Sequence, residues 1–318
     1  MNTIGIIGHE NHASIRETLS HVLSKLSKTF PNTKLLLAEN VASIERPNGS
    51  DVASTLIDLS KASDVIVSIG GDGTMLLAAR AISRANPSAR LIGVNAGKLG
   101  FLSENPPEEI DALIDDLANN SLIVEERLML NATVRSDSGE PVLIKQDILE
   151  PSRSGMSKPE VTLDALNEVV IDNYGSTRML TVEVYVGAAL VGVIRADGLM
   201  VSTPTGSTGY AVSAGGPIIE PTSQVMLITA IAPHSLNVRP IIVPQDTVVR
   251  FRSLTEETHQ ALVVADGQEQ IVVTAPAEVI VHAASNRLHL LRRKERSYFD
   301  LLRNKLFWSA DRRDAGKR

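Results

Sequence analysis

The chain has 318 residues, of which 43% are apolar and 21% charged, with a formal charge of −6 and no cysteine. That length exceeds what one hydrophobic core usually serves and predicts two domains, and the composition lacks the low hydrophobicity of a disordered chain. Net acidity argues against a general duplex nucleic-acid binder, and the missing cysteines exclude disulfides, thiolate metal sites and cysteine nucleophiles. The opening segment turns polar too early for a signal peptide and no apolar run reaches roughly 18 residues, so a cytoplasmic protein with no membrane partner is expected.

Residues 3–7 predict a short strand closed by Gly8. Ile15, Leu19, Val22, Leu23, Leu26 and Phe30 then recur at helical spacing until Pro31. A strand over 34–38, a helix over 52–61 with Val52, Leu56 and Leu59 inward, and a strand over 65–69 continue the rhythm of an open, mostly parallel α/β sheet. The last of these strands runs into Gly70, Gly71, Asp72, Gly73 and Thr74, and the apolar residues that follow predict a helix reaching about Ser83. A strand over 90–94 delivers Asn95, Gly97, Gly100 and Phe101 to its carboxyl end, the edge where open α/β sheets place ligands. Helical spacing over 108–117, started by Pro106 and Pro107, completes a first domain of residues 1–125.

From Arg127 the period changes to two, through Leu128, Leu130, Ala132 and Val134. Short β-rich runs follow at 169–171, 180–186, 190–194, 225–231, 248–251, 262–264, 271–273 and 279–282, predicting an all-β, sandwich-like second domain over 126–284. Residues 148–158 read as a loop within it. Residues 285–318 read as a helical tail, clearest over 298–308, whose Leu301, Leu302, Phe307 and Trp308 need a surface to cover and are expected to return to the first domain. Between Arg287 and Arg318 there are 11 basic and 4 acidic residues, a local +7 that leaves −13 elsewhere, which reads as a basic face packed on an acidic body.

Asp72 by itself fits a helix cap as well as a reactive carboxylate, but glycines on both sides leave room for a large anion beside the main chain. The turn matches neither the GxxxxGK nor the GxGxxG phosphate pattern. A second candidate stretch runs from Asp197 to Tyr210, where Ser202, Thr203, Thr205, Ser207 and Thr208 supply hydroxyls able to cradle phosphate or ribose oxygens. Asn167 and Glu168 interrupt an apolar run with paired donors and acceptors. His234 reads as a loop histidine and Asp266-Gly267-Gln268 as a tight β-turn. No histidine–carboxylate spacing makes a metal site from the protein alone.

Gly70-Gly71-Asp72-Gly73-Thr74, Gly93-Val94-Asn95 through Gly100-Phe101-Leu102, Asn167-Glu168, Asp197-Gly198-Leu199 through Tyr210, Pro233-His234-Ser235-Leu236 and Asp266-Gly267-Gln268 together resemble the NAD kinase family, in order and over nearly the whole chain. The resemblance implies transfer of the ATP γ-phosphoryl group to the adenosine 2′-hydroxyl of NAD, giving NADP and ADP, with Mg²⁺ or another divalent cation carried on ATP. It implies catalysis by Asp72, phosphate or ATP contacts at Gly70, Gly71, Thr74 and Asn95, and NAD contacts at Gly73, Phe101, Asn167, Glu168, Asp197, Thr205, Gly209, Tyr210 and His234. Asp197 falls at the family's carboxamide contact, and Thr205 and Tyr210 at its adenosine contacts. A homodimer or homotetramer is implied as well, because Tyr210 in this family can reach an adjacent subunit's site, which the resemblance puts in an interdomain cleft. Gly209 departs from the family's more frequent alanine, which implies a freer loop or an altered adenine pocket. Related glycine–aspartate turns occur in lipid and sugar kinases, and a noncatalytic dinucleotide-binding regulator would use Asp72 only as a cap. A carboxylate is a far weaker base than an alkoxide, so proton removal by Asp72 is expected to run late and together with phosphorus–oxygen bond formation.

Overall fold

The structure is a computed structural model that describes residues 1–8, 13–44, 49–97, 100–175, 178–254 and 260–306. The chain divides into two compact units, one formed by residues 1–125 with the segment that begins at His289, the other by Glu126–Leu288. Among the described residues no helix is long and apolar enough to cross a membrane.

The first unit contains β1 (Thr3–Gly8), α1 (Ala13–Thr29), β2 (Lys34–Ala38), α2 (Glu39–Ile44), β3 (Asp51–Ala53), α3 (Leu56–Ala62), β4 (Val65–Gly70), α4 (Asp72–Ala85), β5 (Arg90–Asn95) and α5 (Ile110–Ala118). Its strands lie in the order β3-β2-β1-β4-β5, all parallel. The order reverses between β1 and β4, which puts the end of β4 at the topological switch where such sheets bind ligands. The α1 stripe Ile15, Leu19, Val22, Leu23 and Leu26 is buried as its spacing predicts, on the sheet face that carries the buried Ile4, Ile6, Leu37 and Val67.

Residues 52–61 are not one helix. The Thr55 hydroxyl accepts the Asp58 N–H at 3.0 Å and donates to the Asp58 carboxylate at 2.8 Å, so the helix starts at Leu56. Residues upstream pair with β2 as an edge strand, and Val52 is exposed rather than inward.

The second unit is all β apart from short turns: β6 (Ile123–Ser136), β7 (Val142–Asp147), β8 (Ser157–Lys158), β9 (Glu160–Ala165), β10 (Glu168–Tyr174), β11 (Leu180–Val186), β12 (Ala189–Ala196), β13 (Gly198–Ser202), β14 (Val225–Ile231), β15 (Ile241–Pro244), β16 (Val249–Ser253), β17 (Gln260–Ala265), β18 (Glu269–Thr274) and β19 (Ala277–Arg292), with the single-turn helix α6 (Tyr210–Ser213). One sheet runs β15-β14-β13-β10-β17-β18-β7-β8; the other contains β12-β11-β16-β19, with β6 and β9. Alternate residues of both sheets, such as Leu130, Val134, Ile171, Val201 and Phe251, close the sandwich core. On the opposite face of β10 and β13, Val170 and Met200 pack with Ala211, Ile219 and Leu227, which fixes the segment after β13 on that face. The stretch 148–158, read as a loop, carries a 3₁₀ turn at Pro151–Arg153 and then β8, which pairs back onto β7; Asp147 accepts the N–H groups of Leu149 and Glu150 and ties the turn down.

The tail returns to the first unit, but not as one helix. β19 continues through residues 285–292, pairs His289 and Leu290 with β5, and only then gives way to α7 (Tyr298–Leu306). Arg292 grips Glu104 at 2.7 and 2.9 Å and Glu125 at 2.6 Å, while Arg293 meets Asp116 and Glu109 and Arg296 meets Glu109. The expected basic face on an acidic body is thus a set of ion pairs, with Arg292 buried within it. Leu301 and Leu302 are buried; Phe307 and Trp308 lie outside the described residues.

Candidate functional site

In the first unit every residue of β4 is buried, and the chain must turn sharply to enter α4. A Cβ at Gly70 would stand 2.4 Å from the Thr74 hydroxyl, so only glycine lets the turn close. Gly71 is the N-cap of α4, with no side-chain cap bond, and Asp72 is the first helical residue. Asp72 is therefore not capping its own helix. Its Oδ2 accepts the Phe101 N–H at 2.8 Å, and its Oδ1 accepts those of Leu102 and Ser103 at 3.1 and 3.0 Å. With two donors Oδ1 is filled, whereas Oδ2 keeps acceptor capacity.

Gly100 makes this grip possible, since a Cβ there would lie 1.8 Å from Oδ1. The Ser103 hydroxyl donates to the Gly70 carbonyl at 3.0 Å, and the buried Asn95 donates to the Ser103 carbonyl at 3.0 Å while accepting the Gly97 N–H at 2.7 Å. The Asn95 amide thus makes two bonds that shape the loop. Gly71 and Gly73 are exposed, and nothing lies within 4 Å of a Cβ built on either, so the helix opens on accessible main chain that suits an anion. The Phe101 ring carries the ammonium of Lys305, from α7, 5.3 Å from its centre.

In the second unit the Asp266-Gly267 hairpin turn has φ of 51° and 69° at its two central residues, the conformation that an Asp-Gly pair favours. The Asp266 carboxylate reaches back about a hundred residues and accepts the N–H groups of Leu166, Asn167 and Glu168 at 2.8, 2.7 and 3.1 Å. The turn that reads as ordinary in the sequence therefore sets the start of β10. Glu168, Val170 and Asp172 share one face of that strand, across from Ser202, Met200 and Gly198 of β13.

The segment after β13 is locked over Asn167. A Cβ at Gly206 would meet the Asn167 carbonyl at 2.2 Å, Thr203 bonds the carbonyls of Asn167 and Leu166 at 2.8 and 2.6 Å, and the hydroxyls of Ser207 and Thr208 turn to the carbonyls of Pro204 and Thr205. Most of the hydroxyls expected to cradle a ligand are thus spent on building the loop. The buried Thr205 accepts from the buried Arg127 at 3.2 Å.

The Tyr210 N–H donates to Glu168, while its ring is exposed. Burial first, then Asp172, Asp197 and Glu168, push the Tyr210 phenol up, which marks those three carboxyls as its neighbours. Glu168 is raised to about 8 by burial and then by Asp266, against the Tyr210 N–H. Its Oε2, the Asn167 Oδ1 and the Ser202 Oγ are buried with no hydrogen-bond partner. Gly209 faces the tips of Asn167 and Glu168, where a Cβ would sit 3.3 and 3.4 Å away. His234 is exposed and its main chain donates to Arg195, two residues before Asp197.

Gly70 to Thr74, Asn95 and Phe101 thus gather in the first unit, and Asn167, Glu168, Asp197, Gly209 and Tyr210 in the second, with Thr205 in the adjoining loop. Sequence reasoning missed the parts played by Gly100, Ser103, Asp266, Asp172 and Arg127. The Asp-Gly pair was a visible signal for Asp266; a buried arginine leaves none. Among the described residues no three His, Asp or Glu side chains could together hold a metal ion.

Two protein families match in succession: the ATP-NAD kinase N-terminal domain over residues 4–122 and the ATP-NAD kinase C-terminal domain over 166–293. The chain is 34% identical to the NAD kinase of Shewanella baltica over 309 residues, 97% of this chain and 92% of that one. It is 32% identical to the NAD kinase of Teredinibacter turnerae, with 97% of both chains covered. The fold is that of yeast NADH kinase, solved with NADH, at a TM-score of 0.83 and 20% identity over 98% of this chain and 89% of that one. An Archaeoglobus fulgidus NAD kinase solved with ATP matches at 0.67, with 22% identity over 96% and 98%.

Proposed function

The chain belongs to the NAD kinase family, whose activity is the ATP-dependent phosphorylation of NAD to NADP, and from that premise we propose how its residues share the reaction. The adenosine 2′-hydroxyl of NAD donates its hydrogen bond to Asp72 Oδ2. Its oxygen bonds to the γ-phosphorus of ATP as the bond to the ADP oxygen breaks, and the proton passes late to the carboxylate. The observation that carries this reading is the Asp72 carboxylate itself, clamped by three N–H groups yet with acceptor capacity left on Oδ2 and exposed glycines on both sides. Rigid orientation of this kind supplies proximity without waiting for the side chain to find its place.

Gly70, Gly71 and Thr74 bring the phosphates to the positive end of α4, where the Thr74 N–H is already spent on the Gly71 carbonyl at 3.1 Å, while Asn95 serves them by holding the loop. Asn167, Glu168 and Gly209 contact NAD, Thr205 and Tyr210 its adenosine side and Asp197 its carboxamide, with Gly73, Phe101 and His234 as further NAD contacts. The unpartnered Asn167 Oδ1 and Glu168 Oε2 support that division. A divalent cation, Mg²⁺ or an equivalent, comes with ATP and offsets phosphate charge.

A coupled assay for NADP formed from NAD and ATP tests the reading. We expect Asp72→Asn to lower kcat by about 10²- to 10⁴-fold while NAD affinity stays near that of the wild type; near-normal turnover in this variant would sink the base assignment. A homodimer or homotetramer working in the cytoplasm completes the proposal. Leu190, Val191 and Val193, exposed together on β12, support self-association, and a monomer by sedimentation at assay concentrations would count against it.

A further inference from the structure

Two carboxyl groups meet at the start of β10, and the donors around them are shared unequally. Asp266 receives three main-chain N–H groups, whereas Glu168 receives one, from Tyr210, and leaves Oε2 buried without a partner. Neighbouring carboxyls in a poorly solvated site do not ionise together, and the one richer in donors keeps the charge. Asp266 is that one. We propose that Glu168 meets the dinucleotide as a neutral carboxylic acid, a hydrogen-bond donor whose proton is required for tight binding.

The surroundings of Glu168 agree from each side. From the β17–β18 turn comes the negative charge of Asp266; from β13 comes the uncharged Ser202, itself unpartnered and fully buried. From α6 comes Tyr210, whose raised phenol stays neutral where a carboxyl of this kind titrates. Along the same face of β10 lies Asp172, itself raised by burial and then by Asp197, and from β6 Arg127 reaches Thr205 in the neighbouring loop. Burial and the Asp266 charge hold the Glu168 proton until about pH 8. Below that pH the acid can donate to a lone pair of the nucleotide, on a ring nitrogen or a ribose oxygen. Above it the donor is gone, and a further negative charge faces an anionic ligand.

This inference deepens the proposed function and rests on NAD being the ligand of the second unit. The test is calorimetric titration of NAD into the whole protein from pH 6.0 to 9.5, for wild type and Glu168→Gln, with thermal melts to establish that each is folded. Wild-type affinity should hold to about pH 7.5 and then fall about tenfold per pH unit above about 8. Glu168→Gln keeps an N–H donor and cannot ionise, so it should bind within about threefold of wild type at pH 6.5 and show no such fall. A wild-type affinity that stays level to pH 9.5, or a loss of about tenfold or more in Glu168→Gln at pH 6.5, overturns the neutral donor and makes Glu168 an ionised acceptor, with NAD still the ligand. Folded wild type that binds no NAD at any pH overturns the ligand reading, and the proposal with it.

Discussion

Asp72 in the first unit and Asp266 in the second each take three main-chain N–H groups in the same pattern, one on Oδ2 and two on Oδ1. Asp266 is only 6% exposed and sits at the tip of a hairpin, with its donors on a neighbouring strand's approach. Asp72 is half-buried, at the mouth of a helix, between two glycines that leave the main chain open. The donors fix both side chains; exposure decides which of them can also meet a substrate. One clamp therefore builds architecture and the other leaves an oxygen with acceptor capacity beside open main chain.

The widest separation between the two should come from replacing each aspartate by asparagine. Against the large turnover loss at position 72, Asp266→Asn should leave the chemical step nearly intact. An amide would then face N–H groups in a buried site, costing about 1–3 kcal/mol and lowering the melting temperature by several degrees, with a weaker NAD affinity as the start of β10 loosens. Calorimetric melts and kcat measured on both variants check the contrast. Next in size is Gly100→Ala, whose new methyl would press into the Asp72 carboxylate; a displacement on the order of 1 Å predicts roughly a 10²-fold fall in kcat, read in the NADP assay at saturating NAD.

The pH dependence of stability offers a gentler probe of the second clamp. Glu168 binds its proton up to about 8 when folded but only to 4.5 in its ordinary state, so the folded protein holds more protons between those values. Stability must then fall as pH rises through that window, by about 1.4 kcal/mol per unit from this group, and level off above it. The melting temperature of Glu168→Gln should accordingly gain on that of wild type from pH 5 to 8, and no further beyond. Smallest of all, Lys305→Met keeps an apolar stem but removes the charge over Phe101, and should lower the melting temperature by about 1–2 °C through a loss of about 0.5–1 kcal/mol.

The helical stripe of α1 and the alternation on β6 were legible because burial follows the backbone's own period. The glycines around Asp72 were legible because close approach excludes a side chain. What the aspartates hold was not, because partners 29 to 31 residues away for Asp72 and 98 to 100 for Asp266 are chosen by the fold. Val52 misled because a single cap at Thr55 outweighs an apolar residue at helical spacing. Residues 285–292 misled because Leu288, Leu290 and Leu291 fit either period, and pairing with β5 decided between them. The hydroxyls of Thr203 and Ser207 announced donors, but nothing in their order said that the backbone would claim them first.

The position of the last ion pairs also bears on how the protein is made. β5 ends at Asn95, yet its outer neighbour comes from His289 and Leu290, and Glu104 waits for Arg292. Residues 126–288 form a contiguous unit that can close as it leaves the ribosome, whereas the first unit, though synthesised first, stays unfinished until nearly the whole chain has emerged. At ordinary elongation rates that interval is on the order of 10–40 s, during which an open strand edge and unmatched carboxylates are exposed to the cell. A polypeptide truncated before Arg292 would therefore lack the end of its first unit, and the order of synthesis makes the unit begun first the last to be completed.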